Sequence, residues 1–287
     1  MPTLEAVCAR ALALPCSPVL LPRLAALLER PDTDIDELAG LIGLDPVLAS
    51  ATVRMANSVY FSTGEPVDSV HRAVMRLGMR ELYRLAALSL ASRWMQIEGE
   101  GYRWEPGDFC RASLVSALAA EALAQSTGRV EPMLAYTTGL VHEIGKLAIA
   151  FACSGEFGAI RAARAGAGCS WLEAELRVLG FNHAMVSARL LREWRFPPAC
   201  VAVAAHNPPH DVPAEHRPLA AHVHAAHHLA AALGAGQGED AYLFRLDTAL
   251  LEAEGLDAAL LERTLPQVLD RATRLLGGRL ATGAVRF

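Results

Sequence analysis

Apolar residues in this chain fall into segments of helical length, separated by clusters of Gly, Pro, Asn and Asp. The first clear segment, residues 19–31, reads as a short amphipathic helix. Asp34 followed by Glu37 is a capping-box pattern, and Leu38, Ile42 and Leu44 give the next helix its apolar face. Asp45-Pro46 restarts the chain: Asp caps, Pro suits the first turn, and the helix runs through Leu48, Ala51 and Met55 to Asn57. Residues 59–66 read as a loop. Val70 to Leu77 is helical and stops at Gly78, and a long segment follows from Arg80 to about Gln96. Gly99, Gly101, Pro106 and Gly107 make residues 97–107 the best internal boundary. Beyond it the pattern predicts helices near 108–126, 132–152, 156–165, 170–179 and 182–195, then a short one from Pro197-Pro198 to His206. A loop at 207–218, a helix at 218–233, a break at 234–238 and closing helices near 241–254 and 256–276 complete the chain.

Composition supports the same reading. Ala and Leu dominate an apolar fraction of 53%, aromatics are 6%, and β-branched runs are scarce, which favours an all-α fold over 287 residues. The net charge of −5 argues against broad nucleic-acid binding. No charge-free apolar stretch reaches the ~18 residues of a membrane helix. The N-terminus, with Glu5 and Arg10, lacks the basic-then-apolar order of a signal peptide. Cys8, Cys16, Cys110, Cys153, Cys169 and Cys200 are scattered without a Cys-x-x-Cys pair, which points to a reduced cytoplasmic protein with structural thiols.

The chemistry concentrates in Gly139-Leu-Val-His-Glu-Ile-Gly-Lys146. A histidine followed by a carboxylate in an apolar helical segment is the core of a metal-phosphohydrolase signature, because imidazole nitrogen and carboxylate oxygen hold a divalent ion and its water. Glu143 stands where that signature needs Asp. His183 opens a helix after Asn182, and His206 ends one. His142, Glu143, His183 and His206 are therefore expected to share a polar pocket, as helix bundles build such sites. Lys146 either neutralises Glu143, meets a phosphate, or sits at the helix surface with its stem buried. His224 and His228 share a helix face, while His210, His216, His222 and His228 read as surface or loop residues. Residues 34–57 have the outline of a helix-turn-helix, but the second helix offers only Arg54 as a cation, so a packed helical pair is the better reading. Asn57 and Ser58 read as a helix terminus whose side chains satisfy backbone groups, with Arg54 and Asn57 as candidate partner contacts.

Taken in order, these pieces resemble the HDOD family, the HD-related output domains of bacterial signalling proteins, over about residues 15–235. The resemblance rests on Leu20-Leu21-Pro22, Asp45-Pro46-Val47-Leu48, Ala56-Asn57-Ser58, Ala73-Val74 and Leu77-Gly78. In the second half it rests on Gly139 to Leu147, Asn182-His183-Ala184, Leu190 to Trp194, Phe196-Pro197 and His206-Asn207-Pro208. It implies an HD-like helical bundle, with an N-terminal helical lobe at 1–100 and an HD-like lobe at 101–287. The wider HD superfamily binds metal through a first His, a His-Asp pair and a distant Asp. Those positions fall on Ala112, on His142-Glu143 and on His227, so only His142 is intact.

The resemblance thus implies a non-catalytic regulatory module that binds a signalling protein, such as a response regulator or sensor, or a small ligand. No cofactor is expected, and a divalent metal would be only weakly held, by His142, Glu143, His183, His206 and His227. No membrane and no specific DNA partner is expected. The alternatives are a metal-dependent phosphohydrolase with a degenerate site and a helix-turn-helix transcription regulator.

Overall fold

The structure, a computed structural model, describes residues 2–12, 20–28, 30, 32–62, 64–94, 100–167, 169–206, 209–236 and 246–276. Residues 19, 29 and 31, the segment 95–99, the pair 207–208 and the stretch 237–245 of the sequence reading lie outside them. The described residues form helices and turns and contain no strand, so the fold is all-α as expected. They divide into two compact units, one of residues 16–93 and one of residues 1–15 with 94–287.

The smaller unit holds α2 (Leu20–Leu28), α3 (Ile35–Gly43), α4 (Pro46–Ala56), α5 (Val70–Leu77) and most of α6 (Met79–Trp94). Its boundaries follow the chemistry read from the sequence. Asp34 accepts from the Asp36 amide, and Asp45 accepts from Val47 and Leu48 with Pro46 in the first turn. Gly78, at φ +74°, ends α5 in a conformation costly for a side chain with a Cβ. The capping box expected at Asp34 is incomplete, because Glu37 turns to Arg30 at 3.0 Å instead. Asn57 also does more than close α4. Its amide donates to the Val67 carbonyl and accepts from the Val67 amide, both at 2.7 Å, and so pins the loop to the cluster of Ala56, Val67, Ala73 and Leu77. Arg54 is exposed.

The larger unit holds α1 (Leu4–Leu12), α7 (Asp108–Thr127), α8 (Pro132–Val141), α9 (Ile144–Ala152), α10 (Phe157–Ala167), α11 (Trp171–Leu179), α12 (His183–Glu193), α13 (Pro198–Ala205), α14 (Arg217–Ala232), α15 (Thr248–Ala253) and α16 (Ala258–Leu276). Helix α7 is its axis: α8, α14 and α16 all pack on it, and it is buried from Phe109 almost without interruption to Ala124. Helices α9 and α12 cross closely, and α1 lies against both. Val7, Cys8 and Ala11 bury that face of α1, a helix absent from the sequence reading. It therefore belongs with residues 94–287, and the N-terminal lobe drawn at 1–100 gives way to a unit of residues 16–93. Cys110 and Cys200 are buried, and burial pushes each thiol up to about 12, which fits packing roles.

Candidate functional site at the His142–Glu143 turn

The continuous helix expected over 132–152 is broken where the chemistry lies. Helix α8 ends at Val141, His142 and Glu143 form a turn, and α9 begins at Ile144. His142 keeps helical dihedrals and its amide still donates to the Thr138 carbonyl, whereas Glu143, at φ −105° and ψ 14°, leaves the helical register. Two glycines let the flanking helices pack closely on their neighbours. A Cβ on Gly139 would come within 2.9 Å of the Ser116 carbonyl of α7. A Cβ on Gly145 would come within 2.1 Å of the His183 carbonyl of α12. The Gly145 amide instead donates to Ser187 Oγ at 2.8 Å, which fixes the first turn of α9 on α12.

The turn meets His227 of α14. One ligand-type atom each from His142, Glu143 and His227 lie within 4.8 Å of one another, and the two imidazole rings meet edge to face at 5.6 Å. His142 Nδ1 is 3.0 Å from the Gly139 carbonyl, which can only accept, so Nδ1 carries the proton and Nε2 the lone pair. Burial, aided by His227 and Lys146 and opposed by Glu143, pulls the His142 imidazole down to about 4. Burial opposes ionisation of Glu143 as well. Lys146 first, then His227, His142 and His183, outweigh it and hold the carboxyl well below the usual range.

Lys146 settles one alternative. It is not a surface residue: its side chain is 2% exposed, and Nζ lies 2.6 Å from Glu143 Oε1. Glu143 Oε2 is buried without a hydrogen bond, and His227 Nδ1 stands 3.6 Å from it. The donor set thus offers three atoms, with a fixed ammonium on one carboxylate oxygen. Ala112, at the position read for the first histidine, is a buried methyl group on α7. A divalent ion held by these three donors would leave positions open to water, but it would share the carboxylate with the Lys146 ammonium.

The remaining histidines divide differently from the expectation. His183 is near enough to Glu143 to help depress its carboxyl, but its Nδ1 and backbone amide both bond Glu175 Oε2, at 2.8 and 2.7 Å. Glu175 Oε1 accepts from the Tyr102 hydroxyl at 2.6 Å. His183 Nε2 is buried and makes no hydrogen bond. Tyr102 and Glu175 have no counterpart in the sequence reading. Arg103, in the left-handed region at φ 56°, stands between Tyr102 and Trp104, which are both buried and stack at 4.7 Å. His206 stays apart, with Nδ1 donating to the Ala202 carbonyl at the end of α13. His222, read as a surface residue, is fully buried between the Pro218 carbonyl and the Thr127 hydroxyl.

The family model described as HDOD domain matches residues 14–209. The chain belongs to the HDOD family. A candidate signal transduction protein from Marinobacter aquaeolei VT8 superposes with a TM-score of 0.70 at 23% identity, over 96% of this chain and 60% of that one. A candidate phosphohydrolase from Shewanella amazonensis SB2B gives 0.66 at 24% identity, over 96% of this chain and 98% of that one. Identities at this level show the shared HD-like helical fold alone. An uncharacterised protein of Treponema pallidum (strain Nichols) is 24% identical over 210 residues, 72% of this chain; the matched region is 40% of that relative's length. Among the described residues no helix is long and apolar enough to cross a membrane.

Proposed function

We propose that this HDOD chain is a non-catalytic regulatory module of bacterial cytoplasmic signalling, which acts by binding a partner protein or a small ligand. The observation that carries the reading is the buried Lys146–Glu143 pair. A carboxylate that would help hold a hydrolytic metal is already neutralised by a side chain of its own turn. Ala112 removes a further donor. The name of the Marinobacter aquaeolei structure agrees with a signalling role.

The test is an activity assay of the full chain with Mn²⁺, Mg²⁺ or Fe²⁺ against cyclic dinucleotides, nucleotides and a generic phosphodiester. No turnover is expected. Enzymes commonly run at ~1–10³ per second, so even a poor one would be visible. Turnover abolished by His142→Ala would replace this reading with the second one, a metal-dependent phosphohydrolase. That second reading draws on the convergence of His142, Glu143 and His227 and on the unbonded Glu143 Oε2. Any bound Zn²⁺ or Ni²⁺ is expected to leave on dialysis against a chelator and to depend on His142.

A further inference from the structure

In the smaller unit, α2 and α3 form a hairpin whose outer face is a groove of about 470 Å³. Two stripes of matching pattern line it. The α2 side supplies Arg23, Ala26, Leu27 and Arg30, and α3 with its following turn supplies Glu37, Gly40, Leu41 and Leu44. Each stripe has the i, i+3, i+4, i+7 spacing of one helical face. Each runs from a charge, through a small residue and a leucine, to its end.

The two ends of the groove differ. At one end Arg30 and Glu37 close it with an ion pair at 3.0 Å. Arg23 and Leu44 sit seven residues from that pair on their two stripes, so they mark the other end. Arg23 is exposed and makes no ion pair or hydrogen bond among the described residues, and Leu44 is 68% exposed. Midway, Ala26 and Gly40 keep the floor low, and a Cβ at Gly40 would meet nothing within 4 Å. Nine-residue helices give a trough of about 13 Å, the length of two to three helical turns.

We propose that this groove is a docking site for an amphipathic helix of a partner protein that carries an acidic side chain at one end of its apolar stripe. The acid would meet Arg23, an apolar residue beside it would cover Leu44, and the helix backbone would approach over Ala26 and Gly40. This follows the helix-in-groove mode, in which small residues admit the ligand helix and apolar anchors at i, i+3, i+4 and i+7 hold it. Among the described lining residues, Arg30 and Glu37 are paired with each other and Arg23 is the cation without an ion pair, so an incoming acidic group is best met at Arg23. The proposal deepens the partner-binding reading given above and rests on it.

The probe is a displayed library of 14-residue helices with one fixed Asp or Glu and a variable apolar stripe, selected on the full chain. Affinities of the enriched peptides are then measured on the wild type, Gly40→Leu and Arg23→Glu. Leucine at position 40 fills open space and favours helix, so the variant should keep its fold, checked by near-UV circular dichroism. Enriched peptides are expected to lose about tenfold or more in affinity on Gly40→Leu. On Arg23→Glu they should weaken, while versions with Lys in place of the acid should tighten. Failure to enrich any helix would overturn the proposal. Enrichment of helices that bind both variants as well as wild type would overturn the groove but leave partner binding elsewhere intact. Anilinonaphthalene sulfonate bound in a Gly40-dependent way, with no helix enriched, would replace the docking helix by a small amphiphilic anion. Phosphoester turnover bears on the proposed function alone and is read separately.

Discussion

Lys146 and Glu143 face each other at 2.6 Å with almost no access to water, and that separates two kinds of substitution. Removing one member leaves a buried charge uncompensated, which costs about 3–5 kcal/mol. Lys146→Met should therefore lower the denaturant midpoint strongly, whereas Lys146→Met with Glu143→Gln should recover much of the loss, since a neutral pair needs no desolvation of charge. A cycle showing additive effects would mean that the two side chains do not depend on each other. The pair also fixes a pH response. Glu143 has a depressed folded carboxyl, so its contribution is present above the unfolded value of ~4.3 and is lost as pH falls through the folded one. His142 adds a second window. Its imidazole falls from the ordinary 6.5 to about 4 in the folded chain, so the unfolded chain takes up a proton first as pH drops. Stability should decline between about pH 6.5 and 4 by up to ~3 kcal/mol, in the presence of a chelator, and His142→Gln should flatten that slope. Urea melts at pH 7.5, 5.5 and 4.5 read this directly, and an unchanged slope in the variant would remove His142 as its cause.

At the scale of single elements, close helix crossings decide what the chain tolerates. Gly145→Ala would drive a methyl group into the His183 carbonyl and the Ser187 amide, both backbone, so α9 and α12 would have to separate. A loss of ~3 kcal/mol or more is expected, seen as a lower thermal midpoint. Gly40→Ala meets open space in a helix and should be neutral or stabilising by up to ~1 kcal/mol. Equal effects at the two positions would show that the crossing is not tight. The same contrast explains what the sequence could reveal. The starts of α3 and α4 and the stop of α5 were legible because Asp34, Asp45 and Gly78 act on backbone groups a few residues away. The break at His142–Glu143 was not, because Leu140, Val141, Ile144 and Leu147 keep a helical apolar spacing straight through it. The helices that α8 and α9 pack on, α7 and α12, lie elsewhere in the sequence. Glu175 and Tyr102 were missed for the same reason: 73 residues separate a hydrogen-bonded pair that no local pattern connects.

At the scale of the whole molecule, the family and the all-α class were readable from the order of many weak pieces, but the division into units was not. A composition break near 97–107 marks a change of segment, whereas a unit is defined by which faces bury each other. Helix α1 is the case that separates the two criteria: first in the chain, it packs on α9 and α12 of the unit that resumes at residue 94. Its role gives a final prediction. Val7 is fully buried on that face, so Val7→Asp would place a carboxylate against α9 and α12. An unpaired buried charge of this kind costs ~3 kcal/mol or more, or else drives α1 off the unit. Arg10 would lose its hold too, since it donates to the Ala152 carbonyl at the end of α9 and lies over the Phe151 ring. Hydrogen exchange of the full-length variant should therefore show lost protection in α9 and α12, with α3, α4 and α5 unchanged. Loss confined to α3, α4 and α5 would instead assign the first helix to the smaller unit, and uniform loss throughout would mean that the two units open as one.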